Sequence, residues 1–463
     1  MGKIAALLAA GLLGFLSACG GGGMSSSSQT SSTAATTPVQ VNLGDAPADW
    51  MLAFSMNISS MSLVGSKGTV NVTSASTPVE MIHRMGTMEP IALVPAQQGT
   101  YTGASITIAS CNVSYLDPNT KAMVQKTIQG PINATIQFAS PATLGSTPLA
   151  FNFDLDLENS VTMDNTGNFN LSPMFHISVG PQGTGSANGG FNGGVQQMMG
   201  VVSGTSSTSF TMTPLQATNS FTFTVNSATQ FLGNISKMSM MGMGMGVLVS
   251  GTLQPDGTLL ATSVRSRMNS GGMMGGGIVT EVIGQPATEL TLVMQNGAGA
   301  SVMSSYLSQS ITVDVASNTE FEIDDDRVDL KSVPFTPLFD ASNLYAGQSV
   351  LPISDSGMKV SGMMGSIAGT ITASDIRLQE QGFRGTTDTA LTPATAASFV
   401  LTLNPQSAFA TLTGTNKILV YQQTGTNLEN STAIAAGATL RVHGLLFRNA
   451  GQWTLVASTI AAS

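Results

Sequence analysis

Methionine is the residue type whose spacing in this chain suggests chemistry most directly. The chain contains 27 methionines, and one glycine-flanked cluster comprises Met240, Met241, Met243 and Met245. Soft thioether sulfurs prefer Cu(I), and in a β-strand the last three side chains of this cluster would lie on one face. The spacing is therefore compatible with a copper site. The alternative is that these residues fill gaps in apolar loops or cores, and no histidine lies near the cluster in sequence.

An acidic stretch offers a second set of candidate metal ligands. Asp324, Asp325 and Asp326 follow Glu320 and Glu322, and carboxylate oxygens are the hard ligands that Ca²⁺ prefers. The spacing departs from the EF-hand loop, which alternates its acidic ligands and carries a glycine and a later glutamate. Because basic residues follow directly, we interpret the stretch as a solvated acidic turn, with calcium binding as the alternative.

A third acidic group lies on a segment that alternates apolar and polar side chains. Its carboxylates belong to Asp154, Asp156 and Glu158. In a strand these groups would share one face, about 6–7 Å apart. Their repulsion predicts a basic cross-strand partner, for which Lys121 and Lys126 are the candidates. Calcium binding is the alternative for this face as well.

The composition gives catalysis little support. The chain has three histidines, two cysteines and a net charge of −9. The histidines lie far apart, and no Gly-x-Ser-x-Gly elbow, phosphate-binding loop or dinucleotide fingerprint is present. An acidic chain with 16 basic residues also lacks the basic patches that nucleic-acid binding requires. We therefore predict a non-catalytic protein without a cofactor and without a nucleic-acid partner.

The elements that would position these residues are predicted to be β-strands. Short alternating segments recur throughout the chain, separated by Gly, Pro, Asn and Asp, and this pattern is typical of antiparallel sheets. Residues 39–182 are predicted to form an antiparallel β-sandwich. A Gly-rich linker at 183–194 would follow it. The predicted fold class is therefore all-β, with a sandwich followed by three small β-barrel-like repeats.

The repeats are predicted from recurring signals. Their boundaries are 195–276, 277–381 and 382–463. Each begins near a glycine followed by a strand, at Gly200, Gly277 and Gly385. A Thr-x-x signature then follows at Thr229, Thr319 and, in degenerate form, Thr415. The second repeat is longer than the others, which predicts an insertion over residues 324–346.

The N-terminal segment predicts a cellular address. An apolar run of signal-peptide length ends in Leu16, Ser17, Ala18 and Cys19, which resembles the lipobox of bacterial lipoproteins. The resemblance implies removal of residues 1–18 and acylation of Cys19, with residues 19–38 as a flexible Gly/Ser/Thr tether. Gly20 stands where an aspartate usually signals inner-membrane retention in that family. The resemblance therefore implies attachment to the outer membrane, on its periplasmic or its cell-surface side.

Two further resemblances concern the folded part. The segment Val41 to Asp49, with the strand that follows it, resembles an N-terminal β-sandwich domain of unknown function found in bacterial lipoproteins. The three repeats resemble a second uncharacterised family of small barrels, often found in tandem in secreted proteins. Neither family implies an activity. The expectation is a membrane-anchored structural or interaction module with a protein or glycan partner at the cell surface, and the alternative is a metal- or small-ligand-binding protein. The oligomeric state stays open.

Overall fold

The structure is a computed structural model, and it describes residues 35–463 with gaps. The gaps fall at residues 47, 74, 83–87, 118, 165–166, 182–193, 216–218, 255, 257, 299–305, 357, 362–367, 394, 430–432 and 463. The predicted lipobox, the lipidated Cys19 and most of the predicted tether therefore lie outside the described residues, as does nearly all of the linker at 183–194. Residues from Ala35 onward form one compact unit.

The N-terminal part, called the sandwich below, forms where apolar side chains alternate along the chain. The side chains of Phe151, Phe153, Leu155 and Leu157 are all fully buried, as their period of two requires. The elements of the sandwich are β1 (Thr36–Ala46), β2 (Met51–Gly65), β3 (Gly68–Thr73), β4 (Thr77–Glu80), β5 (Met88–Gln97), β6 (Gly99–Leu116), β7 (Met123–Leu144), β8 (Leu149–Asp156), α1 (Leu157–Ser160), β9 (Val161–Met163), β10 (Phe169–Leu171) and β11 (Phe175–Pro181).

Two sheets of the sandwich enclose one hydrophobic core. One sheet has the order β11-β8-β1-β5, the other has the order β3-β2-β6-β7 with β4 paired to β2, and β9 and β10 form a small hairpin. The sandwich departs from the predicted all-antiparallel pattern because β1 and β8 run parallel, from the pair Val39–Leu149 to the pair Ala46–Asp156. Six strands separate β1 from β8 in sequence, which supplies the long connection that a parallel pair needs.

Three rings, called barrels 1 to 3 below, follow the sandwich. Five strands close each ring, and the first two barrels carry one further short strand each. Barrel 1 comprises β12 (Gly194–Thr205), β13 (Ser209–Pro214), β14 (Phe221–Thr224), β15 (Gln230–Leu232), β16 (Gly246–Leu253) and β17 (Leu259–Met268). Barrel 2 comprises β18 (Met273–Gly284), β19 (Ala287–Ala298), β20 (Ser310–Ile323), β21 (Ser349–Ser354), β22 (Lys359–Ser361) and β23 (Ala368–Leu378). Barrel 3 comprises β24 (Glu380–Thr387), β25 (Ala397–Leu403), α2 (Ala408–Thr413), β26 (Lys417–Glu429), β27 (Thr439–Asn449) and β28 (Gln452–Ala462).

The three rings share one strand order. Barrel 3 is closed in the order β24-β25-β26-β28-β27, and the additional pairings β14–β17 and β20–β23 join the corresponding strands of the other two rings. In each ring the third strand runs parallel to the last. The prediction of an all-β chain is therefore confirmed.

A threonine at the same place in each ring explains part of the sequence repeat. In each barrel the pairing between the third strand and the last strand has a break. In barrel 1 this break separates the short strands β14 and β15. At the interruption, the hydroxyls of Thr229, Thr319 and Thr426 donate to the carbonyls of alanines on the last strand, over 2.7, 2.8 and 2.7 Å. The same hydroxyls accept backbone N–H bonds from the start of the interruption. The third equivalent is thus Thr426, and the placement of this signature at Thr415 was wrong.

The glycine that opens each repeat is required by close strand contact. A Cβ atom at Gly277 would lie 1.9 Å from the carbonyl oxygen of Val293, and one at Gly385 would lie 2.6 Å from that of Thr402. Distances this short exclude any side chain, so the neighbouring strand can approach only a glycine. The described segment between β20 and β21, residues 324–348, contains no strand. It packs Phe335 against Tyr421 and Phe447 of barrel 3.

Candidate functional site

The methionine cluster does not form the strand face that its spacing suggested. Residues 238–240 form a turn of 3-10 helix, and the next strand begins at Gly246. Met241 and Met245 are 7 % and 8 % exposed and belong to the core of barrel 1, whereas Met240 and Met243 are 45 % and 67 % exposed. The Met245 sulfur also accepts the backbone N–H of Gly242 at 3.0 Å. The predicted Cu(I) ligands are therefore divided between the core and the solvent.

The aspartate triplet is part of the contact between barrels 1 and 2. Arg267 on β17 forms an ion pair with Asp324, and Arg265 on the same strand bonds Asp326 at 2.5 Å. The Arg267 side chain is only 2 % exposed. Burial raises the pKa of Asp326, while the positive charge of Arg265 lowers it. Two of the three predicted calcium ligands thus face guanidinium groups, which differs from the expected solvated turn. Asp325, between them, is exposed.

A different acidic group has the geometry of a cation site. The carboxylates of Glu320, Glu322 and Asp375 each offer an oxygen within 4.8 Å of the other two. Arg377 lies in the same group, where it pairs with Glu322 and bonds Asp375 at 2.9 Å. Burial raises the pKa of Asp375 to about 6, against the lowering effect of Arg377. The guanidinium thus occupies the electrostatic role that a bound cation would take.

A buried polar network joins barrels 2 and 3, and the sequence analysis did not find it. The Glu380 carboxylate accepts the Ser458 hydroxyl at 2.9 Å and lies 2.8 Å from Nδ1 of His443. Arg327 approaches the same oxygen at 3.3 Å. Burial alone would raise the pKa of Glu380, but the hydrogen bond with His443 and the charge of Arg327 contribute to holding that pKa below its usual value. Ser458 bonds the carboxylate and not the imidazole, so the three groups are not arranged as a nucleophilic triad.

The acidic face of β8 and α1 meets arginines, and the expectation of a lysine partner was wrong. Arg384 of barrel 3 forms an ion pair with Glu158. Burial raises the pKa of Asp154, and the charge of Arg441 lowers it. Arg384 and Arg441 are directly opposite each other on β24 and β27. This basic pair of barrel 3 therefore provides opposite charge to Glu158 and Asp154 of the acidic group.

Asp49 lies at the same contact between the sandwich and barrel 3. Its carbonyl oxygen accepts the backbone N–H of Ala408 at 2.7 Å, next to the start of α2. Burial raises the pKa of the Asp49 carboxyl to about 7, with Arg384 lowering it and Glu158 raising it. The side chain of Asp45, the other acidic residue of this predicted turn, lies outside the described part.

The remaining candidate residues are a buried cysteine, an exposed histidine and a histidine outside the described residues. Cys111 is 1 % exposed, and burial raises the pKa of its thiol to about 12, which keeps it in the unreactive protonated form. His176 is exposed and lies 3.7 Å from Asp156, while His83 falls in a gap. Among the helices of the described residues, none has the length and apolarity to cross a bilayer.

No spacing in the sequence could have identified these partners. The pairs Arg267–Asp324, Arg327–Glu380 and Arg384–Glu158 join residues that are 57, 53 and 226 positions apart. Each pair connects two different folded parts. These ion pairs hold the folded parts together. Their carboxylates include residues that the sequence suggested as metal ligands.

Comparison with known families identifies one segment of the chain. Residues 199–265, most of barrel 1, match the family described as Domain of unknown function (DUF5666). This match covers far less than half of the chain. No curated protein matches the chain at a significant level.

Two solved structures were found to be similar to parts of the chain. One is the single-stranded DNA binding protein from Thermus aquaticus, as a deletion mutant with 14 % identity, covering 42 % of this chain and 93 % of its own, at a TM-score of 0.15. The other is Drosophila Unr CSD456, with 11 % identity, covering 58 % of this chain and 97 % of its own, at a TM-score of 0.13. Similarity at these TM-scores carries no inference about function.

Proposed function

We propose that this protein is a non-catalytic lipoprotein of the bacterial cell envelope, anchored through Cys19, whose folded part acts as a structural or interaction module. The observation that carries the proposal is the use of its charged side chains. Arg267, Arg327 and Arg384 bind carboxylates of neighbouring folded parts. In an enzyme or a metal carrier, such charged groups would instead face a ligand. These ion pairs therefore support a firm connection between the sandwich and the barrels.

Buried contacts add to this connection between the folded parts. The amide of Gln295 in barrel 2 donates to the carbonyl of Leu52 in the sandwich at 2.7 Å, and Gln348 donates to Leu446 of barrel 3 at 3.1 Å. An apolar cluster that includes Leu52, Val293 and Ala408 brings the sandwich, barrel 2 and barrel 3 together. Domains held by both polar and apolar contacts keep their relative positions better than domains on flexible linkers. Such rigidity suits a module that presents its surfaces in fixed positions relative to one another.

The exposed face of barrel 1 favours an uncharged binding partner. The hydroxyls of Thr211 and Thr222 lie 2.9 Å apart, and those of Thr213 and Ser220 lie 3.0 Å apart, all on the outer side of β13 and β14 or beside them. Hydroxyl groups donate and accept hydrogen bonds without carrying charge. A surface of this kind suits a glycan or an uncharged protein face as the partner.

The metal-binding alternative has one candidate site, because Glu320, Glu322 and Asp375 have the spacing of a cation site, but the guanidinium of Arg377 already pairs with two of them. Its predicted ligands receive no such support. The methionines of its Cu(I) version are divided between core and solvent, and two aspartates of its Ca²⁺ version pair with arginines.

Acylation at Cys19 remains the premise of the envelope proposal. Two or three acyl chains would hold the protein firmly, because each buried methylene contributes about 0.8 kcal/mol.

Membrane fractionation of intact cells tests the anchor. Cys19→Ala is expected to move the protein from the membrane fraction to the soluble fraction, while Cys111→Ala, the matched control on the other cysteine, leaves it at the membrane. Added proteinase then distinguishes the two sides of the outer membrane. Persistence of the Cys19→Ala variant in the membrane fraction would overturn the anchoring proposal, and reproducible turnover of an ester, glycan or peptide substrate by the purified protein would overturn the non-catalytic one.

A further inference from the structure

Among the strands that the structure describes, the longest one of the sandwich has no partner along one of its edges. β7 spans 22 residues and ends the sheet order β3-β2-β6-β7. Within the described residues, it pairs with β6 alone. The barrels close on themselves, whereas this edge presents backbone N–H and C=O groups that can pair with a strand of another molecule.

The central part of this edge lacks the usual protection against pairing. Proline and lysine residues commonly block edge strands, and β7 carries Lys126, Pro131 and Pro141. The stretch between the two prolines, residues 132–140, contains no charge and no proline. Its register with β6 is regular from Ile132 to Gln137. An open, regular and uncharged segment is therefore bounded by protected ends.

The direction of the backbone groups identifies which residues face the open edge. A Cβ atom on Gly103 of β6 would lie 2.5 Å from the carbonyl oxygen of Ile136, so the backbone groups of Ile136 face β6. Successive residues of a strand direct these groups to alternate sides. The N–H and C=O groups of Asn133, Thr135 and Gln137 consequently point away from β6.

The side chains of this segment are incompletely covered on their inner face. Ile132, Ile136 and Phe138 are half-buried at the border of the sandwich core, and the Phe138 ring lies 5.7 Å from that of Phe151. The alternate residues Asn133, Thr135 and Gln137 are exposed. A strand added beside β7 would extend the sheet and cover the half-buried apolar groups.

We propose that β7 is a self-association edge, at which residues 133–137 of one molecule pair antiparallel with the same residues of a second copy, centred on Thr135. In this register Asn133 opposes Gln137 of the second copy, and Ala134 opposes its Ile136. Amide meets amide, apolar meets apolar, and no like charges meet, so the segment is complementary to itself. A charged partner strand would find no opposite charge here.

The contact is expected to be weak and reversible. Five residues from each copy would exchange about six ladder hydrogen bonds, and two short strands bury much less than the roughly 1,600 Å² of a standard stable interface. Chemical trapping is therefore a more suitable test than chromatography.

Disulfide trapping in the full-length chain tests both the contact and its register. The background variant is Cys19→Ala, because Cys111 is buried and no other thiol then competes. In this background, Thr135→Cys should form a disulfide-linked dimer under mild oxidation, since directly opposed, hydrogen-bonded residues have Cα atoms about 5.5 Å apart, within the range that a disulfide spans. Circular dichroism confirms that each variant is folded.

Asn133→Cys and Gln137→Cys are the matched controls, since both residues are exposed on the same side of the same strand. Alone, each should give at least about tenfold less dimer, because its own copy lies about 13 Å away in this register. Mixed together, the two variants should give the heterodimer. Equal dimer from all three single variants, no dimer from Thr135→Cys, or trapping of Thr135→Cys only to a protein of different mass would each overturn the proposal.

Discussion

Arg384 of barrel 3 and Glu158 of the sandwich form an ion pair across 226 positions of sequence. The pair is partly exposed, with side-chain exposures of 32 % and 53 %, so its own contribution to stability is at most about 1 kcal/mol. Both partners also influence the pKa of Asp49, which burial raises: Arg384 lowers this pKa and Glu158 raises it.

Charge removal at this pair should move the pKa of Asp49 with opposite signs. Arg384→Gln removes the charge that lowers this pKa, so the value should rise above about 7. Glu158→Gln removes the charge that raises it, so the value should fall. Carboxyl titration by NMR measures both. A shift in the same direction in the two variants would show that the pair does not act through its charges.

The raised pKa of Asp49 predicts that the protein loses stability as the pH rises. The folded-state pKa of about 7 exceeds the reference value of 3.8, so the folded chain binds more protons than the unfolded chain between these values. The associated stability is fully present below about pH 4 and is lost as the pH rises through 7, with an upper bound of about 4 kcal/mol.

Asp49→Asn tests this dependence. The variant should be less sensitive to pH between 5 and 8 and more stable than the parent at pH 8, as measured by denaturant unfolding. Asp375→Asn is the comparison, because burial also raises the pKa of Asp375, to about 6, in a different contact. Equal pH profiles for the parent and Asp49→Asn would contradict the assignment.

Truncation of Arg267 should be costly. Its guanidinium is almost fully buried against Asp324, and removing one partner of a buried pair leaves an uncompensated charge, at a cost of about 3–5 kcal/mol. Arg267→Met should therefore lower the unfolding free energy by about this amount, and Asp324→Asn in the same chain should recover part of it. Arg265→Met, whose pair is more exposed, should cost less than about 1 kcal/mol.

The threonine in the third strand of barrel 3 should be structurally important. The Thr426 hydroxyl donates to Ala457 and accepts from the backbone of Gln423, and valine would leave both buried groups unsatisfied at a cost of about 1–3 kcal/mol. Thr415→Val is the control, since the Thr415 hydroxyl accepts one weak bond, from the backbone N–H of Lys417 at 3.3 Å. Comparable losses for both variants in thermal unfolding would refute the repeat register described above.

Short-range patterns predicted the strands well because strand periodicity is a local property. The burial of Phe151 and Phe153 follows directly from their alternation with Asn152 and Asp154. The glycine at each repeat start was also readable, since only glycine permits the contact at Gly277. The third threonine signature was misplaced because Thr426 is recognised by its bond to a distant strand, and that bond leaves no local sequence signal.

The charged partners could not be predicted for a different reason. Asp324 and Asp326 lie within three positions of Arg327 in sequence, yet they form ion pairs with Arg267 and Arg265 of barrel 1. Docking between folded parts decides such pairings, and it depends on surfaces assembled from many segments. The arrangement of the methionines was unpredictable for a similar reason, because the loop that holds Met241 and Met245 places both side chains in the core of barrel 1.

The central position of β1 in its sheet has a mechanical consequence. This strand lies between β5 and β8 and pairs with both along most of its length. A pulling force applied along the chain at residue 35 would load the two ladders in shear, so that many hydrogen bonds must break together and not one after another. The first strand of the folded part would therefore act as a clamp that resists extraction of the chain under tension.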